Sequence, residues 1–199
     1  MSQEGVIKFD CNWIKTEPFD FDSFESINNW RNTLFRLGMI GQTPDGIGYG
    51  NLSVRFVENQ FIITGSATGS LKSITKEHYT KVTSYNIESN SITAHGPIIA
   101  SSESLTHAAI YQSNSDVKAI FHVHHEGLWK KYIDILPTSD ISVEYGTPSM
   151  AHEIIRLFNG TDVFEKKIMI MGGHQDGIIT FGNSIDEAGN TLLKYFEHF

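Results

Sequence analysis

The chain has 199 residues, of which 15 are Lys or Arg and 23 are Asp or Glu, so its formal net charge is −8. An acidic chain lacks the excess of cations that a non-specific nucleic-acid binder needs to displace counterions, and its composition argues against that class. Hydrophobic residues make up 40% of the chain, which is enough to bury a core and argues against a fully disordered protein.

The chain has one cysteine, Cys11. A monomer with one cysteine forms no internal disulfide, which suits a reducing compartment. The first residues, Met1 to Gly5, have no basic segment followed by an apolar one, so no signal peptide is predicted. No apolar run approaches the ~18–20 residues of a membrane helix. We therefore expect a cytoplasmic protein with neither a membrane nor a nucleic acid as its partner.

Residues 1–21 are predicted to be an extended lead-in with a short strand at 6–9. A helix is predicted to begin at Asp22 or Ser23 and to end near Leu37, because apolar residues recur there at spacings of three and four. In chain order, the sequence then predicts a glycine-rich loop at 41–50, a hairpin of strands 51–57 and 60–64, a small-residue loop at 65–70, a hairpin of strands 81–87 and 91–94, a helix at 101–112, a strand at 117–124, helices at 126–136 and 149–158, strands at 167–171 and 177–181, and a last helix from 184.

Strands and helices alternate along the chain without a repeat, a low-complexity tract or a linker. The sequence therefore predicts an α/β fold. Signals for hairpins outnumber signals for strand–helix–strand crossovers. We expect the sheet to be largely antiparallel, with helices covering it.

His122 and His124 lie in the predicted strand at 117–124. Side chains alternate along a strand, so these two imidazoles share a face and can point at one metal ion. A catalytic Zn²⁺ usually has three protein ligands, of which this pair supplies two. The alternative is a pair of partly buried histidines hydrogen-bonded to the backbone. His125 points away and is expected to be a supporting or surface residue.

The third ligand is expected from residues 172–177, Gly-Gly-His-Gln-Asp-Gly, between two apolar strand segments. The glycines there permit a close backbone approach or an unusual bend. His174 is the candidate ligand. Asp176 competes with it, because both lie on one face if the strand stays regular. A simple tight turn without a ligand is the alternative.

Ser101, Ser102 and Glu103 open the predicted helix at 101–112. Serines at a helix start can cap the helix, and the free N–H groups there can bind an anion at the positive end of the dipole. His107 and Tyr111 follow Glu103 at i+4 and i+8, so all three side chains can point inward together. A plain cap and ordinary core packing are the alternatives.

Two further segments place small polar residues where loops meet strands, as an anion-binding nest would. They are residues 50–55, Gly-Asn-Leu-Ser-Val-Arg, and residues 63–69, Ile-Thr-Gly-Ser-Ala-Thr-Gly. Neither is a P-loop, since no Gly-Lys-Ser/Thr is present. Each segment alone is a weak signal.

Taken in order, these segments resemble the class II aldolase/adducin family. The resemblance covers about nine-tenths of the chain, and its most specific parts are Ser-Ser-Glu at 101–103 and His-Val-His at 122–124. Residues 146–151, Gly-Thr-Pro-Ser-Met-Ala, are also similar to a family segment. We therefore predict an N-terminal extension at 1–21 and a class II aldolase/adducin-like domain at 22–199.

The resemblance implies a three-layer αβα fold with a mainly antiparallel central sheet, assembled as a tetramer with active sites between subunits. It implies a divalent metal, usually zinc, held by three histidines, of which His122 and His124 are two. It places the catalytic carboxylate at Glu103. The phosphate-binding residues that it implies are Asn51, Ser101, Ser102 and, less directly, Thr68 and Gly69.

Two features depart from the family pattern. The family's third ligand directly precedes a glycine, whereas here Asp176 precedes Gly177 and His174 lies three positions before that glycine. We favour His174, re-aimed by a local bulge, because imidazole suits zinc. The chain also ends soon after the last predicted helix, so we expect the C-terminal tail that closes some family sites to be short or absent.

The resemblance implies a metal-dependent, aldolase-like lyase that acts on a small sugar phosphate through a metal-stabilised enediolate. An epimerase or a dehydratase of the same family would use the same metal and base. A non-catalytic, adducin-like interaction domain is the alternative from a different class. The presence of Glu103, His122 and His124 favours the enzyme, because a scaffold does not need them.

Overall fold

The computed structural model describes residues 5–198, so the first four residues of the predicted lead-in and Phe199 lie outside the described residues. The strands are β1 (Asp10–Lys15), β2 (Gly41–Gln42), β3 (Gly48–Tyr49), β4 (Asn51–Arg55), β5 (Phe61–Thr64), β6 (Tyr79–Asn86), β7 (Ser91–Gly96), β8 (Ala119–His124), β9 (Ile168–Ile170) and β10 (Gly177–Gly182). The α-helices are α1 (Phe24–Arg36), α2 (Ser104–Ser113), α3 (Glu126–Tyr132), α4 (Pro148–Gly160), α5 (Val163–Lys166) and α6 (Ile185–Glu197).

Eight strands form one sheet in the order β1-β7-β6-β5-β4-β8-β10-β9, and β2 pairs with β3 in a separate small ribbon. The pair β1 and β7 is parallel. The other six neighbouring pairs of the large sheet are antiparallel. The predicted α/β fold with a largely antiparallel sheet is therefore confirmed, as are the predicted hairpins β4–β5 and β6–β7.

The strand predicted at 6–9 is wrong. The strand of this segment is β1, Asp10–Lys15, which pairs with β7 in register from Asp10 opposite Ser91. Five of its six residues are exposed, so β1 has no hydrophobic pattern by which the sequence could have revealed it. Its pairing occupies backbone groups of β7 that an open sheet edge would leave free. Part of the lead-in thus belongs to the sheet, and the domain boundary at residue 22 stays a prediction.

Two hydrophobic clusters form the core, and alternate residues of β8 belong to different ones. Ile120 packs in the cluster that contains buried residues of α2 and α4. Phe121 and Val123 pack in the cluster that contains buried residues of α1 and α6. Each face of the sheet at β8 therefore has its own core, as period-two alternation requires. Within residues 5–198, no helix has both the length and the apolar character to cross a bilayer.

Arg31 on α1 is 1% exposed and holds the loop that follows β5. Its guanidinium donates to the carbonyl oxygens of Thr68 at 2.9 Å, Gly69 at 3.3 Å and Lys72 at 3.2 Å. It also donates to the carbonyl of Leu71. The planar fork of arginine can serve several acceptors at once, and these bonds fix the loop against α1.

We expect Arg31→Met to lower the free energy of unfolding by about 2–4 kcal/mol, because a buried carbonyl left without a donor costs about 1–3 kcal/mol. Urea unfolding followed by circular dichroism measures this. The control is Arg36→Met on the same helix, where the exposed guanidinium donates to the Thr33 hydroxyl at 3.0 Å. That variant should stay within about 0.5 kcal/mol of the native chain. Equal effects of the two substitutions would contradict the anchoring role of Arg31.

Candidate metal centre

His122 and His124 extend from the same face of β8, as the strand pattern predicted, and their Nε2 atoms lie 3.2 Å apart. β8 is paired on both sides. Asn51 of β4 lies opposite His122, and Gly177 of β10 lies opposite His124. The backbone that carries the two imidazoles is therefore fixed by two ladders of hydrogen bonds.

His174 lies in a turn between β9 and β10 and not on a regular strand. Its N–H donates to the Met171 carbonyl at 3.2 Å, and its own carbonyl accepts from the Gly177 N–H at 2.9 Å. The preceding residue, Gly173, is packed too closely for any side chain, because a Cβ there would lie 2.0 Å from the Val143 carbonyl oxygen. The turn brings the His174 ring centroid to 5.1 Å from that of His122 and to 4.7 Å from that of His124.

Among the described residues, the group that could hold a metal ion is His122, His124 and His174, whose ligand atoms lie within 4.8 Å of one another. Asp176 is not part of this group. It has a left-handed backbone with φ of 65°, and its side chain lines a neighbouring cavity. The expectation that His174 and Asp176 share a strand face is therefore wrong, because the segment is a turn.

The three side chains fit a divalent metal in geometry, and His124 fits it in protonation as well. Two nitrogens on a tetrahedral zinc, each at about 2.0–2.1 Å, are about 3.3 Å apart, and the observed separation of the His122 and His124 Nε2 atoms is 3.2 Å. Burial, followed by the charges of His174 and His122, lowers the pKa of His124. A lowered pKa favours the neutral imidazole, which is the form that binds metals.

Glu103 faces this cluster from the start of α2. Its Oε1 lies 3.1 Å from His174 Nδ1 and 4.0 Å from His122 Nε2. Its Oε2 accepts a hydrogen bond from the Thr106 hydroxyl at 2.8 Å. Glu103 occupies the N-cap position of α2, but its carboxylate makes no capping hydrogen bond, and it is 2% exposed. A plain capping role therefore does not describe this residue.

The pKa of the Glu103 carboxyl is lowered to about 2 although burial, the largest single effect, raises it. The hydrogen bond with His174 and the charges of His122 and His174 together outweigh burial, and the Thr106 hydroxyl lowers the pKa further. The carboxyl group is thus ionised in a buried position beside the imidazoles.

β4 holds α2 in place by the side chains that face it. Ser53 Oγ lies 2.7 Å from His107 Nδ1 and 2.8 Å from the Tyr111 hydroxyl. Arg55 donates to the carbonyls of Tyr111 at 2.9 Å and Asn114 at 2.8 Å, at the end of the helix. His107 and Tyr111 therefore do point inward, and they pack as buried residues with polar contacts. Ser53 and Arg55 serve the helix and do not form the anion-binding nest that the sequence suggested.

The candidate phosphate-binding residues are buried. Asn51, Ser101 and Ser102 form one group, and Thr68 and Gly69 of the loop after β5 form the other. Asn51 has a buried Oδ1 without a hydrogen-bond partner among the described residues. Ser101 Oγ accepts the Glu103 N–H at 3.3 Å, while Ser102 precedes Glu103 in the same turn. Thr68 donates to the Gly65 carbonyl at 2.9 Å, and a Cβ at Gly69 would lie 2.2 Å from the Tyr49 carbonyl oxygen. Thr68 and Gly69 are thus occupied by contacts with their own surroundings.

A cavity of about 600 Å³ lies beside the cluster and reaches His124. Its lining includes Asp176, Glu126 and His125. His125 does point away from the metal group, and its Nδ1 accepts the Leu128 N–H at 3.1 Å at the start of α3. The cavity gives a small molecule a route to His124.

The sequence interpretation missed two tyrosines that stack on the histidines. The Tyr49 ring lies 5.0 Å from that of His124 at 29° between planes. The Tyr145 ring lies 4.5 Å from that of His174 at 27°. Each tyrosine directly precedes the first glycine of a motif already singled out, at 50–55 and at 146–151. Their position beside these two motifs is the sequence signal that could have identified them.

Comparison with known proteins supports the family resemblance of the sequence motifs. Residues 38–129 match the family model of the class II aldolase and adducin N-terminal domain. This segment contains Asn51, Glu103, His122 and His124, and His174 lies beyond it. No curated protein sequence matches the chain.

Several solved structures share the fold. L-fuculose-1-phosphate aldolase from Thermus thermophilus is 19% identical, with 87% of this chain and 89% of that chain covered and a TM-score of 0.61. The sugar-phosphate aldolase from Thermotoga maritima is 15% identical, with 88% and 91% covered and a TM-score of 0.63. The N-terminal class II aldolase domain of a conserved protein from Thermoplasma acidophilum is 17% identical, with 91% and 95% covered and a TM-score of 0.57.

These structures show that the chain has the class II aldolase fold. The matched segment and the fold together confirm the resemblance to the class II aldolase/adducin family that the order of the sequence motifs predicted.

We expect His174→Ala to weaken divalent-metal affinity by at least about 100-fold and Asp176→Ala by at most about tenfold, because loss of a direct ligand costs more than loss of a neighbour. Competition with a chromogenic chelator measures both. His152→Ala removes an exposed histidine that pairs with Glu88 at 3.3 Å, and it should leave affinity unchanged. The reverse order of losses would make Asp176 the ligand.

Proposed function

We propose that this protein is a metal-dependent lyase that cleaves a small sugar phosphate in an aldol-type reaction. The observation that carries the proposal is the buried, ionised carboxylate of Glu103 beside the imidazoles of His122, His124 and His174. An arrangement that costs free energy in a core is expected where chemistry needs it. The sugar-phosphate and L-fuculose-1-phosphate aldolases that share the fold support this choice of substrate class.

On this proposal, His122, His124 and His174 hold one divalent ion, and three imidazole ligands suit Zn²⁺. Such an ion acts as a Lewis acid that polarises the substrate carbonyl and stabilises the negative charge developing on its oxygen. The three imidazoles fix the position of that charge beside the Glu103 carboxylate.

Glu103 moves the proton. In the condensation direction, its ionised Oε1 accepts a proton from the carbon next to the carbonyl, and the electron pair left there forms the new bond to the carbonyl carbon of an aldehyde, whose oxygen takes up a proton from solvent. In the cleavage direction, the hydroxyl on that carbon gives up its proton, the carbon–carbon bond breaks to release the aldehyde, and Oε1 returns its proton to the phosphate-bearing fragment. Thr106, which donates to Oε2 at 2.8 Å, keeps the carboxylate oriented with Oε1 toward the imidazoles.

The phosphate lies, on this proposal, between Asn51 and the turn that contains Ser101 and Ser102. The positive end of the α2 dipole and the free N–H groups at its start favour an anion there. On this proposal the side-chain N–H groups of Asn51 donate to the phosphate, because its buried Oδ1 can only accept a hydrogen bond. Gly65 forms a bridge with Ala100, so the loop of Thr68 and Gly69 adjoins this turn, and these two residues contribute by holding that loop.

The wider expectations from the resemblance belong to the same proposal. The two cores on opposite sides of β8 support the three-layer αβα arrangement. A homotetramer with sites between subunits would supply further residues to the cavity beside His124.

Two other functions make different forecasts. An epimerase or a dehydratase of the same family would use the same residues, so the products formed from a panel of sugar phosphates distinguish them. An adducin-like interaction domain would need no metal, and a native chain that takes up no Zn²⁺, Mn²⁺ or Co²⁺ would favour it.

We expect Glu103→Gln to lower turnover by about 10²–10⁴-fold, because glutamine keeps the size of the side chain but cannot accept a proton. The assay scores cleavage, epimerisation and water loss on a panel of ketose phosphates. Metal content and melting temperature should stay near the native values. The control is Glu165→Gln, an exposed carboxylate on α5.

A Glu103→Gln protein as active as the native chain on any accepted substrate would remove Glu103 from the mechanism. If the residue were only a helix-dipole charge, the substitution would instead cost about 0.3–1 kcal/mol of stability and leave turnover intact.

A further inference from the structure

Tyr145 connects the lead-in of the chain to the third histidine of the metal group. Its ring stacks on His174 with centroids 4.5 Å apart. The Lys8 ammonium lies 3.9 Å from the same ring centroid. The Tyr145 hydroxyl accepts the Val6 N–H at 3.1 Å. A chain of contacts therefore runs from residues 6–8 through one aromatic ring to His174.

The two stacked tyrosines differ in what else they can touch. Tyr49, on His124, lines the cavity beside the metal group and can contact a ligand there. Tyr145 is fully buried, so solvent does not reach its ring. Its effect on the site must therefore pass through the side chains that it touches, and His174 of the metal group is one of them.

His174 needs such support more than its two partners do. The backbone of His122 and His124 lies on a strand paired on both sides, whereas His174 lies in a turn, where its own N–H and carbonyl bond locally to Met171 and Gly177. A ligand must keep its geometry to within a few tenths of an ångström for full metal affinity, and neighbouring groups usually supply that constraint.

Lys8 is itself fixed. Its ammonium pairs with the Glu144 carboxylate at 3.0 Å, and its side chain is only 20% exposed. Glu144 and Tyr145 are adjacent, so one lysine contacts both side chains. The cation over the ring adds attraction to the ring's quadrupole and restricts the movement of the tyrosine.

We propose that Tyr145 is a positioning residue for the third metal ligand, and that Lys8 of the lead-in holds Tyr145 against His174. The proposal rests on the metal site of the proposed function. It assigns a role in the site to the lead-in, outside the segment that matches the family model.

The test is metal affinity in the full chain, measured with Co²⁺ and Zn²⁺ by chelator competition, together with the visible absorption of the Co²⁺ form, which reports coordination geometry. Tyr145→Met keeps a large apolar side chain but removes the stacking ring. It should weaken affinity by about 10–100-fold and change the Co²⁺ spectrum. Tyr145→Phe keeps the ring and should stay close to the native affinity.

Lys8→Gln provides a second, milder variant. Removal of a cation near a divalent ion should strengthen metal binding if charge alone mattered. We expect the opposite, a weakening of about two- to fivefold, because the tyrosine loses its cation–π contact. This variant also decides the question if Tyr145→Met fails to fold.

Tyr132→Met is the matched control, because Tyr132 packs edge-on against Tyr195 at 5.4 Å in the other core. It should lower the melting temperature without a change in metal affinity. The positioning role would be overturned if Lys8→Gln kept the native metal affinity and Tyr145→Met either kept it as well or did not fold. A native chain that binds no metal would instead reject the proposed function on which this inference rests.

Discussion

A buried carboxylate is the constraint on which the rest of the site depends. Glu103 is 2% exposed, and an ionised carboxyl is stable in such a place only if charges and donors compensate its lost hydration. His174 Nδ1 at 3.1 Å, the Thr106 hydroxyl and the positive end of the α2 dipole supply that compensation. The start of α2, the strand β8 and the turn before β10 must therefore meet at one point.

The fold meets this requirement by using elements of different rigidity. β8 lies between β4 and β10 in the sheet, so the backbone that carries the two imidazoles is fixed by strand pairing. α2 is placed along its length by side chains of β4, with Ser53 bonded to its middle and Arg55 to its last carbonyls. Glu103 at the other end of α2 is consequently held at a fixed distance from β8.

The parts that the sequence predicted are those governed by local periodicity. The alternation of side chains along β8 predicts that His122 and His124 share one face of the strand. The helical spacing of Glu103 and His107 predicts that these two side chains share one face of α2. The sequence did not predict β1, because an exposed edge strand has no apolar pattern. The segment at 50–55 is only a weak signal for an anion nest, and the sequence does not reveal that Ser53 and Arg55 contact α2, because these partners are more than 50 residues away. Tyr145 was missed for a related reason, since its contact with His174 depends on the tertiary fold.

Two arginines anchor the side of the site that carries Glu103 and the two serines. Arg31 holds the loop at 68–72, and Arg55 holds the end of α2, each through several backbone carbonyls. A guanidinium bonded to carbonyls keeps its charge and satisfies groups that burial would otherwise leave unpaired. Both anchors serve the side of Glu103 and the serines. The His174 side is held by other contacts, which are the Glu103 carboxylate at 3.1 Å from Nδ1, the Tyr145 stack and the Lys8 ammonium over that ring. Aromatic and cation–π contacts are worth only about 0.5–2 kcal/mol each. The third ligand is the member of the metal group whose position in the sequence departs from the family pattern, since His174 lies three positions before Gly177.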